Sequence, residues 1–160
     1  MQTAIAYLVA ARRCEIAELE QLNRTCELVR LVSEFVQNLQ IERGVSNVYI
    51  ASEGLHFGVP REQSCALTDR SREFFLIWLE QNEPSESIAG GSRLFTRIAQ
   101  SLHSLDELGL IRSSVQSLAV IPAESSERYS NLISSLLALV FDAADIAVDP
   151  EVSRLLVALF

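Results

Sequence analysis

The sequence predicts an all-α fold, an up-down helical bundle whose first helix is much longer than the others. Apolar residues recur at spacings of three and four rather than two, which indicates helices throughout. Apart from Gly44, glycine and proline occur only at positions 54–60, 84–91, 109, 122 and 150, so few breaks interrupt these helices. The chain has 160 residues, of which 49% are hydrophobic, and this is enough for one domain with its own core.

The first three helices follow from the positions of these breakers. The first runs from about residue 3 to residue 52, which exceeds the usual globular length and is typical of a bundle or coiled coil. The second follows "GVPREQS", with Pro60 near its start, and ends before "NEPSES". The third begins near Ser92, a residue type that commonly caps helices, and continues through Gly109 to about Leu118.

Two more helices are predicted in the last third of the chain. The fourth, "ERYSNLISSLLALVFDAADIAV", has Ser125 as a candidate N-cap and is apolar around most of its circumference, so it should lie centrally in the bundle. Asp149 followed by Pro150 marks the start of a fifth, "PEVSRLLVALF". Because this helix ends on an apolar, uncapped Phe160, we expect the chain to be the N-terminal part of a longer protein, or a partner to cover this end.

The charge and hydropathy of the chain argue against two kinds of partner. A net charge of −8 and a pI near 4.8 argue against nucleic-acid binding by this chain alone, since such binding needs a basic patch to neutralise phosphates. No segment approaches 18 uninterrupted apolar residues, and the apolar run at residues 4–11 is too short to cross a membrane. We therefore expect a cytoplasmic protein without membrane association.

No catalytic or metal-binding pattern is evident in the sequence. Cys14, Cys26 and Cys65 form no CxxC motif, and we expect them to be small buried residues in a reducing compartment. His56 and His103 are isolated, so neither a metal site nor another cofactor is predicted. Since no nucleophile can be paired with a base, we expect a protein other than an enzyme.

One segment of the first helix, "LQIERGVSNVYI", interrupts the apolar pattern with polar residues. With Val36 as the origin and 100° per residue, Arg43 falls at about −20° on a helical wheel. That places it on an apolar stripe with Leu22, Val29, Val32, Val36 and Ile50. Gln40 and Asn47 lie on the same stripe, one turn to either side. We therefore expect Arg43 to face inward.

A guanidinium that faces the core needs a negative partner, because an unpaired buried charge is costly. Glu42 points about 100° away on the wheel, so it is a poor partner for Arg43 within the helix. One alternative is a structural ion pair with an acid on another helix, such as Asp69, Asp142 or Asp145. The other is an anion from solution, with Gly44 allowing a close approach to the backbone.

The segment "LVSEFVQNLQIERGVSNVYIASEG" resembles the signature of the nitrate- and nitrite-sensing (NIT) domain, an LQxERGxS-type sequence on a helix. The lead-in "AARRCEIAELEQL", the "LTD" at 67–69 and the block from Tyr129 to Phe160 are similar to bacterial nitrate regulatory proteins. Those proteins join such a sensor to an RNA-binding antiterminator (ANTAR) domain. The resemblance covers most of the chain.

The resemblance implies an all-helical cytoplasmic sensor that binds nitrate or nitrite through arginines and signals to an output domain outside this chain. The ERG arginine corresponds to Arg43, with Gln40 and Asn47 as hydrogen-bonding neighbours and Gly44 giving close approach. Arg112, in the third predicted helix, is a second candidate ligand.

The resemblance also bears on domain organisation. Family sensor domains are longer than 160 residues, so residues 1–160 would be an N-terminal bundle that stops at the helix near 150–160. The alternative function is a helical dimerisation or interaction module that binds no small ligand and in which Arg43 forms a structural ion pair. We also expect a homodimer.

Overall fold

The computed structural model describes residues 2–82 and 91–147, and nearly all of them are helical. The helices are α1 (Gln2–Ala51), α2 (Gly58–Gln81), α3 (Gly91–Leu105), α4 (Leu108–Gln116) and α5 (Pro122–Ala147). α1 packs against α2 and α5, and α5 also contacts α3 and α4. The predicted all-α bundle with a long first helix is confirmed. The predicted helix "PEVSRLLVALF" lies outside the described residues.

The turn between α1 and α2 has a backbone geometry that specifies its residues. Glu53 is left-handed, with φ 53°, and its N–H donates to the Ile50 carbonyl at 2.9 Å. The N–H of Gly54 donates to the Tyr49 carbonyl at 2.9 Å, which completes a Schellman-type end to α1. Gly54 itself has φ 79°, and a Cβ there would lie 3.3 Å from the Tyr49 hydroxyl, so this position requires glycine.

The predicted third helix is two helices in the structure. It breaks at Asp106 and Glu107, and α4 then ends at Gln116 instead of about Leu118. The N–H groups of Asp106 and Glu107 each donate to a carbonyl three residues back, at 3.2 Å. Such bonds tighten the helix and interrupt its regular ladder, although no glycine or proline stands at this point.

The central helix starts earlier than predicted. α5 begins at Pro122, where a proline fits because the first helical N–H needs no partner. Ser125 is 1% exposed within this helix and its hydroxyl has no hydrogen-bond partner in the described chain, so it is not the N-cap that the sequence suggested. α5 contacts three other helices, as its apolar circumference predicted.

The bundle uses only the C-terminal half of α1. Residues 3–20 are exposed at every position, and continuous burial along one face starts with Thr25 and Leu28. The core is formed by side chains from all five helices, of which the largest fully buried are Tyr129, Phe35, Phe75, Leu28, Leu39, Leu105, Leu108, Leu136 and Leu139. Among the described residues, the N-terminal half of α1 therefore extends beyond the packed bundle.

The expectation of three buried cysteines is wrong. Cys14 and Cys26 are exposed and Cys65 is half-buried. Cys14 lies in the part of α1 that extends beyond the bundle, and Cys26 lies on the outer face of the same helix. Within residues 2–82 and 91–147, every helix is too short or too polar to cross a lipid bilayer.

Candidate functional site

Two polar side chains of the ERG segment meet two serines of α5. Arg43 Nη1 donates to Ser130 Oγ at 2.9 Å, and Asn47 Nδ2 donates to Ser126 Oγ at 2.6 Å. The two helices run antiparallel, so Asn47, one turn after Arg43 on α1, contacts Ser126, one turn before Ser130 on α5. We call these four half-buried residues the Arg43 site.

Arg43 has no carboxylate partner in the part of the chain that the structure describes. The three acids that the sequence suggested pair elsewhere: Asp69 with Arg112, Asp142 with Arg93 and Arg97, and Asp145 with Arg93. The structural ion pair predicted for Arg43 is therefore not formed there. A guanidinium has five N–H donors and Ser130 accepts one of them, so Arg43 keeps donors for an anion.

Asn47 leaves one polar atom without a partner. Its Oδ1 is buried and accepts no hydrogen bond from the described residues. The Ser126 hydroxyl can donate or accept. A 180° rotation of the Asn47 amide, which exchanges Oδ1 and Nδ2, therefore keeps this bond and brings the NH₂ group to the unpaired position. In that orientation Asn47 offers a free donor one helical turn from Arg43.

Gln40 and Gly44 lie outside this site. Both are exposed, and a Cβ added at Gly44 would meet no atom within 4 Å. The wheel was centred on Val36, whereas the buried face of α1 is centred about 80° away, near Leu39 and Ser46. The predicted stripe is thus the edge of the core, which leaves Arg43 half-buried instead of inward-facing and turns Gln40 to solvent.

Gly44→Ala is expected to stabilise the bundle by about 1 kcal/mol, because a glycine inside a helix is costly and the space beside it is open. Thermal unfolding followed by circular dichroism should show a rise of about 2–4 °C in Tm. Gly54→Ala is the matched control and should lower Tm, because the backbone there is left-handed. A lower Tm for Gly44→Ala would contradict the open space seen beside this residue.

The residue next to Arg43 occupies the centre of the bundle. Glu42 is 0% exposed and accepts two bonds from Arg112, at 2.8 Å from Nε and 2.9 Å from Nη2. The Tyr129 hydroxyl donates to Glu42 Oε1 at 2.8 Å, and Arg112 Nη1 donates to Asp69 at 2.6 Å. These four residues, the Glu42 cluster, join α1, α2, α4 and α5.

The Glu42 cluster sets the protonation states of Glu42, of Tyr129 and of the neighbouring Cys65. Burial raises the pKa of Glu42, but the hydrogen bonds and charge of Arg112, with the Thr68 and Tyr129 hydroxyls, outweigh burial and hold this pKa below its usual value. Burial, together with the Glu42 charge, raises the pKa of Tyr129 above its usual range and that of Cys65 to about 11. At neutral pH Glu42 is therefore ionised, and Tyr129 and Cys65 keep their protons.

Arg112, the second candidate ligand, is held within the protein. Besides its bonds to Glu42 and Asp69, its Nη2 donates to the Cys65 carbonyl at 3.1 Å. Four of its five N–H donors are therefore used. Its position is that of a structural ion pair, the role that the sequence had suggested for Arg43.

Sequence reasoning missed the Glu42 cluster. Glu42 was considered only as a partner for Arg43 and was not predicted to face the core, yet it follows Phe35 by seven residues and Leu39 by three, on one helix face. That spacing could have revealed it. Nothing comparable in the sequence indicates that Ser126 and Ser130 meet α1, because such contacts depend on how two distant helices align.

Comparison with known proteins gives three matches. A family model described as "Nitrate and nitrite sensing" (NIT) matches residues 34–160. The nitrate regulatory protein of Klebsiella oxytoca is 30% identical over 156 residues, which cover 98% of this chain and 38% of that protein. The structure of the NasR transcription antiterminator matches with a TM-score of 0.78 at 29% identity, covering 92% of this chain and 39% of that one. The chain thus spans less than two fifths of either relative's length.

Proposed function

The chain belongs to the nitrate- and nitrite-sensing (NIT) family, and from that premise we propose that it binds nitrate or nitrite at the Arg43 site. Its role is that of a sensing part of a regulator, since the two relatives are by name a regulatory protein and a transcription antiterminator and not enzymes. What we propose is the identity of the ligand and of the residues that bind it.

The observation that carries the proposal is the neutral partner of Arg43. The chain has 13 basic and 21 acidic residues, so acids outnumber bases, yet Arg43 has no carboxylate within ion-pair distance among the described residues. Three other arginines reach across helices to carboxylates: Arg93, Arg97 and Arg112. Arg43 reaches from α1 to α5 and meets a hydroxyl instead. Its charge is left uncompensated at a half-buried position, where an anion would gain a charge-assisted hydrogen bond.

The donors at the Arg43 site suit a small planar oxyanion. Nitrate and nitrite present only acceptors, and a guanidinium presents its donors in one plane, which matches planar oxyanions edge to edge. The amide of Asn47 can add a further donor from the adjacent turn. Gln40, Gly44 and Arg112 are left out because the first two are exposed and the third is held by carboxylates.

Binding would act on the contact between α1 and α5. An anion that draws Arg43 or Asn47 away from the serines alters two of the bonds that join these helices. The signal requires that the anion bind one helix arrangement more tightly than the other. We propose that the output lies elsewhere in a longer polypeptide and is antitermination, because the similar structure is that of a transcription antiterminator. The homodimer and the cytoplasmic location stay predictions.

Isothermal titration calorimetry with nitrate and nitrite at constant ionic strength tests the Arg43 site. We expect saturable heats for the wild type and at least tenfold weaker binding for Arg43→Gln, since a lost charge-assisted hydrogen bond costs about 1.5–3 kcal/mol. Arg30→Gln is the matched control, because Arg30 lies on the same helix and is exposed. Chloride serves as the blank.

Two outcomes would contradict the proposal. One is equal affinity for wild type and Arg43→Gln, which would show that this arginine does not hold the anion. The other is an absence of heat with both anions in the wild type. Circular dichroism of each variant confirms that the helices remain folded before the heats are compared.

A further inference from the structure

Among the described residues, one buried arginine of α2 has no acceptor for its side chain. Arg61, in the first turn of α2, is 7% exposed, and its Nε is buried with no hydrogen-bond partner. No carboxylate lies within ion-pair distance of it in residues 2–82 and 91–147. Its guanidinium carbon lies 5.0 Å from the centre of the Tyr49 ring, so a cation–π contact holds one face. The edges of the guanidinium are left for other acceptors.

Arg61 lines a pocket between α2 and the end of α4. The pocket has a volume of about 440 Å³ and is otherwise lined by Arg112, Ser113, Gln116 and Ser117. The five lining residues are thus two arginines, one glutamine and two serines, with no acid among them. We call these five residues the Arg61 pocket.

We propose that the Arg61 pocket is a second anion site, which takes a small inorganic oxyanion such as phosphate or nitrate. It is separate from the Arg43 site, because it lies between α2 and α4 and shares no residue with the contact of α1 and α5. The proposal goes beyond nitrate sensing at Arg43 and does not depend on it.

In the described part of the chain, the Arg61 guanidinium has no carboxylate of its own. Glu42 and Asp69 both pair with Arg112, so the four charges sum to zero, yet among the described residues no acid lies within ion-pair distance of Arg61. Because the charge of Arg61 is largely buried, it is costly to leave without a partner. An oxyanion would supply the missing acceptor for the Arg61 edges.

The end of α4 could oppose an anion, since the carbonyl end of a helix is negative. Those carbonyls are already occupied in this structure. The N–H of Ser117 donates to Ser113 at 3.0 Å, that of Leu118 to Val115 at 3.1 Å, and that of Ala119 to Ser114 at 3.0 Å. The positive end of α2, where Arg61 lies, acts in the opposite sense and favours an anion.

Nuclear magnetic resonance titration of the ¹⁵N-labelled chain tests this site directly. Sodium phosphate, nitrate and chloride are added at constant ionic strength. We expect the Arg61 Nε–Hε signal and the Gln116 side-chain amide signals to shift saturably with phosphate or nitrate, and not with chloride. Arg61→Met should weaken binding, followed at Gln116, by at least about tenfold. Arg30→Met, which changes an exposed arginine of α1, should leave it unchanged.

Further variants separate this site from the Arg43 site and from loss of folding. Arg43→Gln should leave the saturable shift at Gln116 intact, whether or not nitrate binds at Arg43. Arg61→Lys keeps the charge and should bind measurably, even if Arg61→Met unfolds. Shifts that stay linear, or that persist unchanged in Arg61→Met, would overturn the proposal. So would a wild-type Arg61 signal that does not move with either oxyanion.

Discussion

Arg112→Met is expected to lower the free energy of unfolding by about 3–5 kcal/mol, because it leaves a buried carboxylate without its counter-ion. Glu42 is 0% exposed, and without Arg112 it would keep bonds from neutral groups alone, those of the Thr68 and Tyr129 hydroxyls. Methionine is similar in length and fills much of the space, so the fall in the free energy of unfolding reflects the removed positive charge and not a cavity. Urea unfolding at pH 7, followed by circular dichroism, measures it.

Two controls isolate the buried ion pair. The double variant Glu42→Gln/Arg112→Met removes both charges and should be considerably more stable than Arg112→Met alone. Arg30→Met breaks an exposed pair with Glu34, whose side chains are 64% and 49% exposed, and should cost less than about 1 kcal/mol. Equal losses for Arg112→Met and Arg30→Met would contradict the importance of the Glu42 cluster.

The pH dependence of the same variant adds a second test. In the wild type the pKa of Glu42 is lowered, so its stabilisation is complete above the usual carboxyl value and is lost as pH falls through the lowered one. Without Arg112, burial should raise this pKa above its unfolded value. The destabilisation is then relieved at low pH and grows as pH rises through the raised pKa. The stability difference between wild type and variant should therefore be largest near neutral pH and narrow in acid.

Phe35→Ala is expected to cost about 3–5 kcal/mol, the usual range for removing a fully buried aromatic ring. Phe35 on α1 and Phe75 on α2 are both 0% exposed, and their ring centres lie 6.4 Å apart at a tilted angle. Truncation removes this aromatic contact and leaves a cavity between the two helices. Chemical denaturation at pH 7 measures the loss.

The matched control for Phe35→Ala lies on the same helix. Ile41 is 47% exposed, so Ile41→Ala should change the free energy of unfolding by less than about 1 kcal/mol. Phe35→Leu should fall between the two, because leucine refills part of the cavity. A loss below about 1 kcal/mol for Phe35→Ala would contradict the position of this ring at the centre of the packing.

The sequence predicted the helices well where breakers and apolar periodicity agree. The expected first helix, residues 3–52, matches α1 within one residue, and Pro60 lies at the start of α2 as expected. The break between α3 and α4 at Asp106 coincides with no glycine or proline in the sequence. It depends on backbone hydrogen bonds from two exposed residues, Asp106 and Glu107, to the carbonyl three residues back, and local composition does not specify them.

The site was harder to predict than the fold. Helical spacing placed Arg43 and Asn47 near one another, and the structure brings both to α5. The wheel placed Gln40 on the buried stripe and did not indicate that Glu42 faces the core, because its origin, Val36, lies about 80° from the true centre of burial. Contacts such as that between Arg43 and Ser130 join residues 87 positions apart, so they follow from the alignment of two helices and not from local pattern.

The length of α1 beyond the bundle gives it the geometry of a lever. Residues 2–24 precede the first buried position and span about 35 Å at 1.5 Å per residue. If α1 stays straight, a tilt of about 5° within the bundle moves its far end by about 3 Å. Arg43 and Glu42 lie on the other arm, residues 25–51, where the bonds to other helices are made. A small tilt of the packed half is thereby transmitted to the opposite end of the same helix.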